Sequence, residues 1–199
     1  MRLGFVLLMS VVCGAALADR VILTPNGSRL RPGTIRLETM ATAGMPIRTW
    51  LEAGITTHLD LGLTWVAESG RGPSLDLTWN YLLPITDITP GLSVGVIDFA
   101  NESPEGRAGY LALTQYFGNL GDRNMDIPTE FSLGVWSRNK GQVFGSIVLP
   151  FSEEFRLIAE AASGKLNAGF DIRPVKPLSI RLTFLDGKPT AGLRLSQRF

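Results

Sequence analysis

The chain has 199 residues, enough for one domain of ordinary size, and balances 19 Lys+Arg against 18 Asp+Glu. This balance lacks the basic excess of a nucleic-acid-binding protein, and an apolar share of 45% excludes a disordered chain. After the N-terminal residues no apolar stretch approaches the roughly 18–20 residues of a spanning helix. The apolar surface must therefore be buried in a core or presented to lipid by strands.

The first predicted element is a secretory signal peptide over residues 1–18. Arg2 supplies the positive start, an apolar run follows as far as Val12, and Ala16-Leu17-Ala18 is a small-x-small cleavage site. Cys13 follows a valine, whereas lipoprotein signals place a small residue there, so cleavage after Ala18 is favoured. The mature chain would then hold no cysteine, and we expect export through the Sec pathway.

A lead-in segment over residues 19–33 precedes a long region in which apolar and polar side chains alternate with a period of two. Leu59, Leu61 and Leu63, for example, alternate with Asp60 and Gly62. Such alternation places the apolar side chains on one face of a strand. Turn residues divide the region into twelve predicted strands, over residues 34–43, 48–57, 59–68, 73–84, 90–100, 107–118, 127–138, 141–151, 154–163, 165–175, 178–186 and 189–199.

Short connections predict that these strands pair in sequence. Several resemble hairpin turns, such as Asp186-Gly187-Lys188. The spacing of strand plus turn suits a membrane-spanning strand of about 9–11 residues, and closure would remove exposed edges. We therefore predict an all-β fold, an up-and-down antiparallel transmembrane β-barrel of about twelve strands over residues 34–199. With both termini periplasmic, every outer loop would be short.

Aromatic residues near the predicted strand ends favour a membrane barrel over a soluble sandwich. On an outward apolar face they would form the two aromatic girdles that border the lipid. The residues concerned are Trp50, Trp65, Trp79, Tyr81, Phe99, Tyr116, Phe131, Phe151, Phe155 and Phe184.

The end of the chain carries a family resemblance. The stretch from Gly192 to Phe199 resembles the terminal strand of bacterial outer-membrane β-barrels, although Gln197 stands where those endings more often carry an apolar residue. The stretch from Leu51 to Leu63 is similar to their tight inner hairpins, and the chain loosely resembles the small barrels of the YjbH group. The resemblance implies an outer-membrane location, contact with lipid, and recognition of Phe199 by the barrel-assembly machinery.

Charged residues on the opposite face predict a polar lumen. They have two interpretations: a structural network of paired charges, or a narrow passive pore for small solutes, with the arginines of the later strands favouring anions. Six glycines predicted to point inward, at positions 54, 62, 95, 109, 134 and 169, could widen the lumen. The predicted lumen-lining residues are Arg36, Glu38, Glu52, Asp60, Asp76, Glu130, Arg156, Glu160, Asp171, Arg173, Arg181 and Arg194, together with Asn80, Arg138 and Arg198.

Catalysis is not predicted. His58 is the single histidine, so clusters of His and Cys around a metal ion are excluded, and no cofactor motif occurs. A hydrolase would need His58 as its base, within a tight turn on the periplasmic side. The alternative to a membrane barrel is a soluble periplasmic β-protein that binds a partner or a polysaccharide.

Overall fold

The computed structural model is a closed antiparallel barrel, and it describes residues 21–28, 30–67, 69–103, 105–118, 127–137 and 141–199. Each strand pairs with its neighbours in sequence, and β1 pairs with β12 to close the sheet. In the described part of the chain the strands are β1 (Thr34–Thr42), β2 (Arg48–Gly54), β3 (Leu59–Val66), β4 (Ser74–Leu82), β5 (Gly91–Ile97), β6 (Ala108–Phe117), β7 (Thr129–Trp136), β8 (Gln142–Pro150), β9 (Phe155–Ala162), β10 (Lys165–Val175), β11 (Leu178–Leu185) and β12 (Lys188–Arg198).

The predicted fold class is therefore confirmed, and so is the strand number. Most predicted strands extend beyond the observed ones by one to three residues, because alternation continues into turns that no longer form ladder hydrogen bonds. No helix long and apolar enough to cross a membrane occurs among the residues that the structure describes.

The connections alternate between two rims. The Phe199 rim carries the chain terminus, the start of β1 and the connections 55–58, 83–90, 118–128, 151–154 and 176–177. The opposite rim carries the connections 43–47, 67–73, 98–107, 137–141, 163–164 and 186–187. The two shortest connections on the opposite rim hold Ser163 and Asp186 in the left-handed region, each followed by a glycine, as tight hairpins require.

The period of two separates an apolar outer wall from a polar interior. In β1 the outward side chains of Ile35 and Leu37 are 44% and 41% exposed, whereas the inward Arg36 and Glu38 are 1% and 4% exposed. This is the reverse of a water-soluble protein, in which apolar side chains are buried and charged ones are exposed. The same division recurs around the barrel.

Two of the predicted girdle aromatics lie on the wrong face. Trp50 and Tyr116 point inward and are buried, because each shares the parity of the inward positions on its own strand. Phe155 is half-buried at the start of β9, where it stacks on Phe170 with ring centroids 5.1 Å apart. The other predicted girdle aromatics are exposed, namely Trp65, Trp79, Tyr81, Phe99, Phe131, Phe151 and Phe184.

The inward glycines do not widen the lumen, because neighbouring groups fill the space above them. A Cβ at Gly95 would lie 2.5 Å from the Tyr110 ring, and one at Gly134 would lie 2.2 Å from the Phe144 ring. Gly109 was predicted to face inward and lies on the outer face, between the buried Ala108 and Tyr110.

Candidate functional site

The barrel interior brings most of the predicted polar residues together. Arg173 is half-buried near the Phe199 rim, Arg198 is exposed at that rim, and Arg138 lies outside the described residues. The remaining predicted residues are buried: Arg36, Glu38, Glu52, Asp60, Asp76, Asn80, Glu130, Arg156, Glu160, Asp171, Arg181 and Arg194.

One chain of ion pairs crosses the inner wall from β9 to β1. Asp171 accepts from Arg156 at hydrogen-bond distance and lies 3.8 Å from the Arg181 guanidinium. Arg181 also lies 2.9 Å from one oxygen of Glu38, and Arg194 donates to the other oxygen at 2.7 Å and 3.0 Å. Because these groups are buried, each carboxylate depends on its arginines for the interactions that water would otherwise supply.

Further cations extend this wall. Arg36 donates to Glu52 at 3.1 Å across the β1–β2 pair. Among the described residues no carboxylate lies within ion-pair distance of Arg173, which is on the same strand as Asp171. From β9 to β2 five arginines therefore face four carboxylates, and this wall carries a small net positive charge: Arg36, Arg156, Arg173, Arg181 and Arg194 against Glu38, Glu52, Glu160 and Asp171.

The described part of the expected lead-in over residues 19–33, namely residues 21–28 and 30–33, runs inside the barrel before β1 begins. In this segment, called here the inner segment, Ile22, Thr24 and Asn26 are fully buried. Leu30 is also fully buried, close to Gly54 at the Phe199 rim. The segment therefore occupies the lumen that the sequence predicts as a possible conduit.

Glu160 on β9 holds the start of the inner segment. Its Oε2 accepts the backbone N–H groups of Ile22, Leu23 and Thr24 at 3.2, 2.9 and 3.0 Å, and the Thr24 hydroxyl at 2.9 Å. Its Oε1 accepts from the Asn167 side-chain amide at 2.9 Å. Successive N–H groups that converge on one anion form a nest, an arrangement that favours negative charge.

Other inner-wall residues hold the rest of the inner segment. The Asn26 amide donates to Glu130 at 2.6 Å, and the Leu30 N–H donates to Asp60 at 3.2 Å. The Gly27 N–H donates to the Thr114 hydroxyl at 2.6 Å. Glu160, Glu130 and Asp60 thus bind the segment, whereas Glu38, Glu52 and Asp171 bind arginines.

An apolar cluster anchors the segment towards the opposite rim. Val21 and Ile22 pack with four inward side chains of the barrel, and Leu23 and Leu185 lie against the same cluster. The four side chains are Met40, Trp50, Val148 and Ile158.

Glycines allow the inner segment to approach the wall closely. A Cβ at Gly54 would lie 2.5 Å from the Arg31 carbonyl oxygen, and one at Gly91 would lie 2.3 Å from the Gly27 carbonyl oxygen. Neither position could carry a side chain without moving the segment. The space that Gly54 leaves free is therefore occupied by the inner segment and not available to a solute.

The remaining interior is closely filled. Tyr110, Trp136 and Phe144 form a second buried cluster on β6, β7 and β8. A cavity of about 60 Å³ lies beside β2, β3 and β4, which is room for a few water molecules. Asp76 lines this cavity, accepting from the Thr64 hydroxyl at 2.9 Å and from the Asp98 N–H at 2.8 Å.

His58, the residue that an enzymatic function would need, lies in the β2–β3 turn. Its Nδ1 is 2.7 Å from the Asn80 carbonyl oxygen, and its ring stacks on Trp79 at a centroid distance of 5.8 Å. These contacts fasten the turn to β4 and bring no hydroxyl nucleophile to the imidazole. The hydrolase hypothesis gains no support from them.

The class that the fold and interior define is a closed twelve-stranded antiparallel barrel with an apolar outer wall and a polar, charge-paired inside. KdgM porin has a similar structure, with a TM-score of 0.55, 12% sequence identity, and coverage of 83% of this chain and 99% of that chain. KdgM porin in complex with disordered oligogalacturonate gives a TM-score of 0.56 at the same identity and coverage.

Other comparisons add little. The N-terminal β-barrel domain of OprF from Pseudomonas aeruginosa is 13% identical over 84% of this chain and 98% of that domain, but its TM-score of 0.27 carries no argument. No protein-family model and no curated protein matches the sequence. At such low identity the solved structures show a shared fold alone. They support the resemblance to outer-membrane barrels, and they give no support to the comparison with the YjbH group.

Proposed function

We propose that this protein is a bacterial outer-membrane β-barrel whose polar lumen passes small solutes, and that the inner segment closes the lumen at rest. The observation that carries the proposal is the apolar outer wall around a buried ionic interior. Water would make such a wall costly, whereas lipid makes it favourable and demands a closed sheet. This distribution favours a membrane location over the soluble periplasmic alternative.

The closing role of the inner segment follows from how it is held. Outside the apolar cluster, its contacts with the wall include hydrogen bonds to Glu160, Glu130, Asp60 and Thr114, which water could replace. The barrel does not need the segment for its sheet, because β1 pairs with β12 and β2 directly. Removing the segment would therefore leave a closed wall around a wider polar lumen.

The charge of the inner wall indicates the class of solute. Five arginines face four carboxylates on the side from β9 to β2, and the four guanidinium groups nearest Asp171 make the local potential there favour anions. The related fold of KdgM porin has been seen with oligogalacturonate, an acidic sugar oligomer. Small anionic solutes are the class that this lumen would favour.

The same proposal includes export and assembly. The signal peptide over residues 1–18 would direct the chain through the Sec pathway, and lipid would surround the outer wall. Phe199 is 85% exposed at the end of β12, while its N–H donates to the Gly33 carbonyl oxygen at 3.0 Å. The ring is thus available to the barrel-assembly machinery.

Conductance across a planar lipid bilayer tests the proposal. We expect the mature chain to insert with few or no open channels, and a chain that lacks residues 19–30 to open channels whose preference between anions and cations is measured from the reversal potential. In the shortened chain, Arg173→Glu should shift this preference towards cations, because Arg173 has no ion pair to break among the described residues. Heat-modifiable mobility in gels confirms that each variant is folded. Folded, inserted variants without conductance would contradict the pore and leave a purely structural barrel.

A further inference from the structure

The inner segment is bound as a separate peptide ligand would be bound. Its described hydrogen bonds to the wall reach residues far away in sequence, up to 138 positions in the case of Ile22 and Glu160. They come mainly from the backbone and from the Thr24 and Asn26 side chains. The wall thus presents a built site that recognises a main chain bent at residues 21–24, where successive N–H groups converge on one carboxylate.

Glu160 is the centre of this site. One carboxylate oxygen accepts three successive N–H groups and one hydroxyl, and Asn167 fixes the other oxygen. The cross-strand neighbours of Glu160 are Ser146 and Asn167, which carry no charge that could compete for it. Among the described residues no cation lies within ion-pair distance of Glu160, so this buried carboxylate gains its compensation from these donors and favours a chain that can present a nest.

Two further features add side-chain selectivity. The apolar cluster that contains Met40 and Trp50 takes the two residues at the start of the ligand, Val21 and Ile22. Glu130 accepts a hydrogen bond from the Asn26 side-chain amide at 2.6 Å. Position 27 requires glycine, because a Cβ there would lie 2.7 Å from the Gly91 carbonyl oxygen. The site therefore distinguishes sequence as well as main chain.

We propose that the lumen is a binding site for a peptide whose first residues are aliphatic and bend into a nest of successive N–H groups, with Thr, Asn and Gly spaced as at positions 24, 26 and 27. The inner segment is its occupant in cis, and a peptide of the same chemistry supplied in trans binds the same site once the inner segment leaves. This inference deepens the proposed function and rests on it, since the segment must be displaceable.

The test uses the full mature chain with two substitutions in the inner segment, Ile22→Asp and Thr24→Pro. The first places a charge in the apolar cluster, and the second removes an N–H and a hydroxyl that Glu160 accepts. A synthetic peptide with the native sequence of residues 21–30 is titrated into this variant in detergent, and binding is measured by isothermal calorimetry. We expect saturable one-to-one binding, and none to the unaltered chain, whose site is occupied.

Recognition by Glu160 is tested in the same background. We expect Glu160→Gln, or N-methylation of the peptide at Leu23 and Thr24, to weaken binding by about tenfold or more, because charge-assisted hydrogen bonds are lost. Glu154→Gln, which alters an exposed turn carboxylate, is the matched control and should leave binding unchanged.

The two substitutions could leave the inner segment in its site, where it would block the added peptide. The titration is therefore repeated with a second variant, the chain that lacks residues 19–30. The inference is wrong if both variants show heat-modifiable mobility and neither binds the peptide, or if Glu160→Gln binds it as tightly as Glu154→Gln does. Calorimetry does not depend on conductance, so a pore without peptide binding and peptide binding without a pore are separate outcomes.

Discussion

Asp171 lies fully buried between Arg156 and Arg181, and it also accepts from the Ser179 hydroxyl. Asp171→Asn keeps the shape of the side chain and removes its charge, which leaves two buried guanidinium groups short of a partner. We expect the free energy of unfolding to fall by about 3–5 kcal/mol, the usual cost of breaking a buried ion pair. Urea titration of the folded chain in detergent, followed by tryptophan fluorescence, measures the change.

The exposed pair of Lys165 and Asp186 supplies the control for that experiment. Asp186→Asn removes the same charge from an ion pair 2.6 Å long, in which both side chains are about half exposed. Asparagine tolerates the left-handed backbone of this hairpin position, so we expect a loss under about 1 kcal/mol. Equal effects of the two substitutions would show that burial of the Asp171 network has no energetic consequence.

Gly134 offers a second comparison between single residues. Its Cβ would lie 2.2 Å from the Phe144 ring and 2.5 Å from the Leu111 carbonyl oxygen, so Gly134→Ala must move an aromatic ring and a neighbouring strand. We expect destabilisation of about 1–3 kcal/mol. Gly145→Ala adds the same methyl group at ordinary contact distance on the outer face and should change stability little. A tolerated Gly134→Ala would mean that the ring moves freely. The same urea titration measures the free energy of unfolding of both variants.

The faces of individual residues follow from strand parity more reliably than from residue type. Trp50 shares its parity with Glu52, which the sequence predicts as inward, so the inward position of Trp50 could have been derived from its own strand. Its aromatic character suggested a girdle instead. Gly109 has the parity of Leu111 and Leu113, and the same reasoning would have placed it outside.

At the scale of the elements, the strands could be predicted because each of them must satisfy one simple requirement. An outward side chain meets a different medium from an inward one, so alternation continues for as long as the strand does. Strand order followed from the short connections, which leave each strand no partner but the next. The cross-strand charge pairs, such as Asp171 with Arg181, depend on register and could not be derived from sequence alone.

The inner segment could not be predicted, for a physical reason. It has neither helical nor strand periodicity, and its hydrogen-bond partners lie on strands far along the chain. The sequence indicates that another part of the chain occupies the lumen only once the strand register is known. Glu160, Glu130 and Asp60 have no arginine or lysine directly opposite them, and a buried carboxylate in that position requires donors from elsewhere.

The substitution Gly54→Ala tests how closely the inner segment packs against β2. In Gly54→Ala the new Cβ would meet the Arg31 carbonyl oxygen at 2.5 Å and the Leu30 Cβ at 3.0 Å, and both groups belong to the segment. We expect faster hydrogen exchange at the amides of residues 22–24, 27 and 30, with β-strand amides unchanged. Gly109→Ala is the control, because a Cβ at Gly109 would have its nearest neighbours 3.9 Å away. Unchanged exchange in Gly54→Ala would contradict close seating of the segment against β2.

At the scale of the whole molecule, twelve strands enclose more space than inward side chains alone need to fill. Eight-stranded barrels are filled by their side chains, and barrels of sixteen strands hold an aqueous channel. Here the surplus is occupied by a stretch of the chain itself, together with the aromatic cluster of Tyr110, Trp136 and Phe144. The occupied lumen is consistent with a barrel that is closed until its inner segment moves.

A membrane location for this barrel requires that its outer wall contact lipid, and refolding measures this most directly. The mature chain is unfolded in urea and diluted into buffer either with or without phospholipid vesicles. We expect a β-sheet circular dichroism spectrum and heat-modifiable gel mobility only with vesicles, because the exposed apolar wall needs lipid to be stable in a closed sheet. The same folded species in buffer alone, monomeric and soluble, would contradict the membrane barrel.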